Sequence, residues 1–505
     1  MYGVIIEKGP QNWQILQQEA GYATVTLAGS VQVEAEVLAA EDGAVVIRVV
    51  DENTGARMAA PVFVAPRGTQ WQALLTIPAG GLYRIETYYR YNKICEKRGD
   101  RIFHIGVGDV YVIAGQSNAV GVGKDSVNDP VSDQVHMFRL SGQWDIASHP
   151  LHDSTDTRYP LSQEKAQTGH SPWLNFAKLL NRHLGYPIGL IPATKGGIPL
   201  SCWDRKEDGA FFENMLAIVG DAGGKVKGVL WSQGCNDSGE EPLRRTYLER
   251  FRRVCEDFRQ SLGEDIPILT VQLNKVTCTK DKDLEALGRD WAELREAQRR
   301  AMHEIPGVYM APSIDQMVCD GIHNGAMSNL VIGERVANLA LHYIYGKSVI
   351  CDAPDIRAAV REDNCNIRLH FNHVQDHLFA DLNRTEALMF SVTDETGRME
   401  PVDYRCDGDD SILLIFEREI SGKAAVSCDG YNETGLMPYD VFSYLPVIPF
   451  CDVPVVMQDV YMPGADKTCA EEEGEQEGKM THGELSSIDE ERDRSDRLYK
   501  EPQRR

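Results

Sequence analysis

Between residues 106 and 349, short apolar runs alternate with longer stretches of helical periodicity, and no other feature constrains the fold of this chain as much. The runs "DVYVIAG" (109–115), "YPIGLIPA" (186–193), "VKGVLWSQG" (226–234), "IPILTVQL" (266–273) and "GVYMAPSI" (307–314) read as buried strands. Between and after them, "WLNFAKLLNRHLG" (173–185), "FFENMLAIVGDA" (211–222), "LRRTYLERFRRVCEDFRQSLG" (243–263), "WAELREAQRRAMHEI" (291–305) and "NLVIGERVANLALHYIYG" (329–346) repeat apolar residues at helical spacing. Gly185 and Gly263 stand where two of these helices should stop. Strands that alternate with helices predict a mostly parallel sheet covered on both faces. In such sheets, sites lie outside the carboxyl ends of the strands.

The flanks read differently. Residues 1–105 carry β-branched and aromatic runs such as "VQVEAEVL" (31–38), "AVVIRVV" (44–50) and "GLYRIETYYRY" (81–91), separated by turn residues, and predict a small β-sandwich domain. Residues 350–457 return to the same texture with "NIRLHFN", "SILLIFE" and "AAVSC", which predicts a C-terminal β domain. Residues 458–505 are charged and poor in apolar side chains, so disorder or marginal helix is expected there. Three folded parts in 505 residues agree with the rough prior of about 100–200 residues per domain.

Four strand ends in the middle region finish in small or polar residues: Gly115-Gln116-Ser117-Asn118, Gly196-Gly197, Gly234-Cys235-Asn236-Asp237, and Asp320-Gly321-Ile322-His323 before the last helix. A parallel sheet opens all of them on one edge. A serine hydroxyl there needs a base before it can act as a nucleophile, and histidine suits that task near neutral pH. Ser117 and His323 are the candidate nucleophile and base, and Asp320 is the candidate group that orients the imidazole. The backbone N–H groups of Ser117 and Gly196 and the side-chain amide of Asn236 are the candidate oxyanion donors. Gln116, Gly197, Trp203 and Gln233 adjoin these positions and are candidate substrate contacts. Trp203 reads equally well as a sugar platform or as core packing. Taken singly, each block also reads as an ordinary cap or turn; the set of four carries the inference.

The blocks G-Q-S-N, A-x-x-G-G with a following Trp, Q-G-x-N and D-x-x-H resemble the SGNH hydrolase superfamily, and within it the sialate O-acetylesterases and related carbohydrate acetylesterases. The resemblance spans roughly residues 60 to 450. It implies an SGNH or flavodoxin-like three-layer α/β/α catalytic domain flanked by N- and C-terminal β-sandwich domains. It also implies the site roles above, no cofactor and no metal, and an O-acetylated carbohydrate as substrate. Sialic acid is the first expectation; acetylxylan or another glycan is the alternative, and an inactive carbohydrate-binding protein is a second. Three positions depart from the pattern: Ala119 replaces the usual Met, Ile198 the frequent Thr, and Cys235 the usual Glu. Ala119 also breaks the G-x-S-x-G elbow of α/β-hydrolases.

Other features exclude more than they assign. A net charge of −24 argues against nucleic-acid or anionic-membrane partners. The twelve cysteines form no C-x-x-C pair, which favours reduced thiols. The N-terminus shows no basic-then-apolar leader, so a cytoplasmic chain is expected, or a secreted or periplasmic one if a leader was removed. His149, His152 and His170 fit no zinc spacing. Arg139, Arg158 and Arg205 are available to an anionic sugar. Oligomeric state is not legible.

Overall fold

The computed structural model describes residues 3–277, 283–380, 389–428 and 437–458, apart from the side chains of 284 and 285. The expected character of the tail after 458 therefore lies outside the described residues.

The central sheet contains β1 (Cys95–Gly115), β2 (Val135–Arg139), β3 (Gln143–Ile146), β4 (Ile188–Pro192), β5 (Gly228–Ser232), β6 (Ile268–Val271) and β7 (Val308–Ala311). Its spatial order is β3-β2-β4-β1-β5-β6-β7. All neighbours run parallel except β3, which folds back on β2 as an edge hairpin. Strand β1 sits where the winding reverses, with β4 on one side and β5 on the other. The crevice beyond its carboxyl end is therefore the expected site.

Helices cover both faces because the strands are apolar on both. In β1, Val110, Val112 and Ala114 enter a core with α2 (Ala210–Ala222), α3 (Glu241–Leu262) and α4 (Leu284–Glu304). The alternate residues Tyr111 and Ile113 enter a second core with α1 (Trp173–Leu184) and α5 (Ala326–Leu339). A period of two in a doubly buried strand produces this division. The expected stops hold: α1 ends at Gly185 in the left-handed region and α3 ends at Gly263.

The N-terminal residues form a three-stranded sheet (Gly3–Lys8, Tyr22–Gln32, Gln70–Pro78) and a second group built on Ala44–Asp51 and Gly80–Tyr91. Both contribute to one core that includes Leu27, Leu75, Ile47 and Ile85. The boundary read at residue 105 falls inside β1, whose first half pairs antiparallel with Gly80–Tyr91 before its second half joins the parallel sheet. The described residues up to 457 accordingly make one compact unit. "VQVEAEVL" was expected as a strand, but only its first two residues are; Ala35–Leu38 form a helical turn, as their high helix propensity allows. After residue 350, eight strands follow one hydrogen-bonded path around a core that includes Ile367, Leu369, Val392 and Leu414.

Candidate active site

From 105 to 121 every residue is buried except Ser117. The backbone makes this exposure possible. Gly115 has φ +124°, and a Cβ there would stand 2.1 Å from the Ser232 carbonyl oxygen of β5, so no side chain fits. The chain then turns into a short helix, Ser117–Val120, closed by Gly121 at φ +88°. Trp173, at the start of α1, donates its indole N–H to the Ala119 carbonyl (2.8 Å) and fixes that turn from below.

Ser117 Oγ lies 2.7 Å from His323 Nε2. His323 Nδ1 lies 2.8 Å from Asp320 Oδ2 and 3.0 Å from Oδ1. Partial burial pushes the Asp320 carboxyl upward, but the His323 hydrogen bond and charge and the Ile322 and His323 backbone N–H groups outweigh it, holding the carboxyl below its ordinary value. The three predicted residues are thus one connected chain from hydroxyl to carboxylate. A tight loop carries the pair: Val318 bridges Asn324, and the Cys319 N–H donates to the His323 carbonyl (2.7 Å).

Asn118, the last residue of the G-Q-S-N block, takes part in the site as well. Its side chain accepts the Asn324 N–H (3.1 Å) and donates to the Ile322 carbonyl (3.4 Å), so it joins the Ser117 turn to the His323 loop. Asn274 supports the same loop through the Asn324 side chain (2.6 Å). No spacing in the sequence signals this, because the partners are about two hundred residues apart.

The remaining predicted positions divide. Gln116 is buried; its Oε1 accepts the Gly234 N–H (3.0 Å) and its Nε2 donates to Asn236 Oδ1 (3.3 Å). It braces the loop after β5 and is a positioning group. Asn236 is exposed and its amide donates to the Gly197 carbonyl (2.9 Å), which brings the second and third blocks together. Gln233 is corrected as a substrate contact: it is buried and its amide donates to Asp237, which in turn accepts the Leu200 N–H and pairs with Arg250. Trp203 is corrected as a platform. It is fully buried, 5.1 Å from the Trp231 ring and 5.3 Å from Phe211, because the chain turns inward after the glycine pair. Cys235 packs against the same core, and burial pushes its thiol up to about 12, so it behaves as a small apolar residue. The Gly196 N–H donates to Glu164 Oε2 (2.7 Å), so this candidate oxyanion donor is occupied.

The histidines between the first two blocks also divide. His152 is buried between the Thr194 hydroxyl and the Ser162 carbonyl (3.0 Å each). Among the described residues, Asp129, His149 and His170 form a group close enough to hold a metal ion. Both Nε2 atoms face Asp129 Oδ2 (2.9 and 3.1 Å), and the Lys178 ammonium takes the other oxygen. Both Nδ1 atoms are buried without a partner. A metal on Nε2 would place a proton on each Nδ1 with no acceptor, whereas metal-bound histidines ordinarily donate that proton. The geometry fits two Nε2–H groups donating to one carboxylate oxygen. Arg139 pairs with Asp145 and Arg205 with Glu213, while Arg158 lines a groove at the edge hairpin.

Residues 107–342 match the sequence model of the family described as carbohydrate esterase, sialic acid-specific acetylesterase. This segment is similar to the carbohydrate esterases. A probable carbohydrate esterase of Arabidopsis thaliana is 28% identical over 186 residues, covering 32% of this chain and 68% of that protein. The fold is similar to that of a carbohydrate acetylesterase from Xanthomonas citri, with a TM-score of 0.58 and 21% identity over 88% of this chain and 99% of that one. The matched region contains all four strand ends and the Ser117–His323–Asp320 chain of contacts. Its chemistry is carboxylic ester hydrolysis. No helix among the described residues is long and apolar enough to cross a membrane.

Proposed function

We propose that the chain removes O-acetyl groups from carbohydrates through a Ser117–His323–Asp320 triad and an acetyl-enzyme intermediate. One observation carries this reading: the sole unburied side chain at the end of the central strand is 2.7 Å from an imidazole nitrogen whose other nitrogen rests on a carboxylate. His323 Nε2 takes the Ser117 proton as Oγ attacks the acetyl carbonyl. Asp320 keeps the imidazole in the tautomer that leaves Nε2 free and stabilises the cation that forms. The tetrahedral oxygen is met by the Ser117 N–H, the Asn236 amide and, once it is released, the Gly196 N–H. His323 then protonates the departing sugar oxygen. Water activated by the same ring releases acetate.

The architecture read from the resemblance supports this assignment. With the β2–β3 hairpin set aside, the parallel strands run in the doubly wound 2-1-3-4-5 order, in agreement with a flavodoxin-like three-layer domain. The β-rich parts before and after it are then the flanking sandwich domains. O-acetylated sialic acid is the first substrate to test, from the family description, and acetylxylan the second. Turnover of p-nitrophenyl acetate should vanish in Ser117→Ala and His323→Ala while the circular dichroism spectrum is kept. Acetate release from acetylated sialic acid, acetylxylan and acetylated monosaccharides then ranks the sugars. Full activity of Ser117→Ala would reject the mechanism.

A further inference from the structure

The Gly196 N–H is the donor that an acyl oxygen needs, yet a carboxylate holds it. Glu164 Oε2 accepts this N–H at 2.7 Å, while Oε1 accepts the N–H groups of Lys165 (2.9 Å) and Ala166 (3.3 Å). The Glu164 N–H donates to Ser154 Oγ (2.9 Å), so the residue is held at its backbone as well.

The segment around it is a strap across the site. On one side His152 ties the Ser162 carbonyl to Thr194, two residues before Gly196, and Asn214 holds the Ser162 hydroxyl (2.9 Å). On the other side the Gly169 N–H donates to the Gly121 carbonyl (2.8 Å) and the His170 N–H to the Gly123 carbonyl (2.9 Å), just beyond the Ser117 turn. Between these anchors Lys165, Ala166 and Gln167 are exposed. The strap therefore runs from the glycine loop to the nucleophile turn, with Glu164 at its first step.

A carboxylate oxygen on that N–H has the charge and hydrogen-bonding character of the acetate product and of the tetrahedral oxyanion. One N–H at 2.7 Å from Glu164 cannot also serve a substrate oxygen. We propose that Glu164 is an internal competitor at the oxyanion site: its carboxylate occupies the Gly196 donor in the resting enzyme, and the acyl group must displace it for turnover. This rests on the esterase reading above and adds a gating residue to it. Lys165 adjoins Glu164 and Lys195 adjoins Gly196 in the chain.

Acetate itself is the probe, used on the full chain at constant ionic strength. With the competitor gone, Glu164→Ala should bind acetate about 10-fold more tightly, the scale of one charge-assisted hydrogen bond. This is read both as the inhibition constant against p-nitrophenyl acetate and by NMR titration with labelled acetate, which needs no turnover. Its kcat/KM should rise. Glu164→Gln keeps the shape and the acceptor oxygen without the charge, and should fall between the two proteins. Unchanged or weaker acetate binding in Glu164→Ala, or a fall in kcat/KM, overturns the proposal and makes Glu164 a brace for the glycine loop. The esterase reading fails separately, on Ser117→Ala.

Discussion

Replacing Asp320 by asparagine should harm the reaction more than replacing it by alanine, and the hydrogen bonds of the loop explain the order. In the native site Oδ1 accepts the His323 N–H at 3.1 Å and the Ile322 N–H at 3.4 Å and lies 3.0 Å from the ring Nδ1, while Oδ2 is nearer the ring at 2.8 Å. An asparagine must keep its one oxygen on those backbone donors, which turns its NH2 group toward His323 Nδ1. Nδ1 can then only accept, the proton moves to Nε2, and Nε2 no longer takes the Ser117 proton. Alanine removes the carboxylate without imposing that tautomer. The Asp320 side chain is 39% exposed, so water replaces part of what is lost. A charge-assisted bond discounted in this way is worth about 1.5–2 kcal/mol, or roughly 10- to 30-fold in kcat. The asparagine variant adds the cost of restoring the productive tautomer, about another 10-fold. The assay is kcat on p-nitrophenyl acetate for both variants, with KM and thermal midpoint recorded. An asparagine variant as active as the alanine variant would refute the tautomer argument. The pH dependence has a definite sign: the Asp320 carboxyl is held below its ordinary value, so its contribution is complete above about pH 4 and is lost as pH falls through the lowered value.

Two predictions concern the frame of the site. Gly115→Ala forces a Cβ to within 2.1 Å of the Ser232 carbonyl at φ +124°, and should destabilise the chain by about 2–4 kcal/mol in urea denaturation, with activity lost as the nucleophile turn shifts; a midpoint within experimental error of the parent would contradict the packing argument. Trp203→Ala opens a cavity between Trp231, Phe211 and Phe258, and should cost about 3–5 kcal/mol of stability. At a temperature where the variant remains folded, its KM for an acetylated sugar should equal the parent's, whereas a rise in KM with unchanged stability would return Trp203 to the role of sugar platform.

Sequence alone determined the middle of the molecule. Continuous apolar runs such as Val110–Ala114 and helical runs closed by Gly185 and Gly263 are local signals, and the structure contains the corresponding strands and helices. A parallel sheet then brings strand ends to one edge, and this places Ser117, Asp320 and His323 together. What local signals could not carry was decided by tertiary contact. Trp203 stands beside the glycine pair in sequence, yet side-chain direction after a turn depends on what packs there, and the space is filled by Trp231 and Phe258. Residue 105 looks like a boundary because texture changes there, but backbone pairing lets one strand serve two sheets. Asn118 belongs to the G-Q-S-N block and Glu164 to a string with no motif, but their partners Asn324 and Gly196 are distant along the chain. Hydrogen bonds between loops require a fixed relative position, and only the packed layers supply it; the residue types of the proposed triad are readable in the chain, whereas the groups that brace and occupy the site are not.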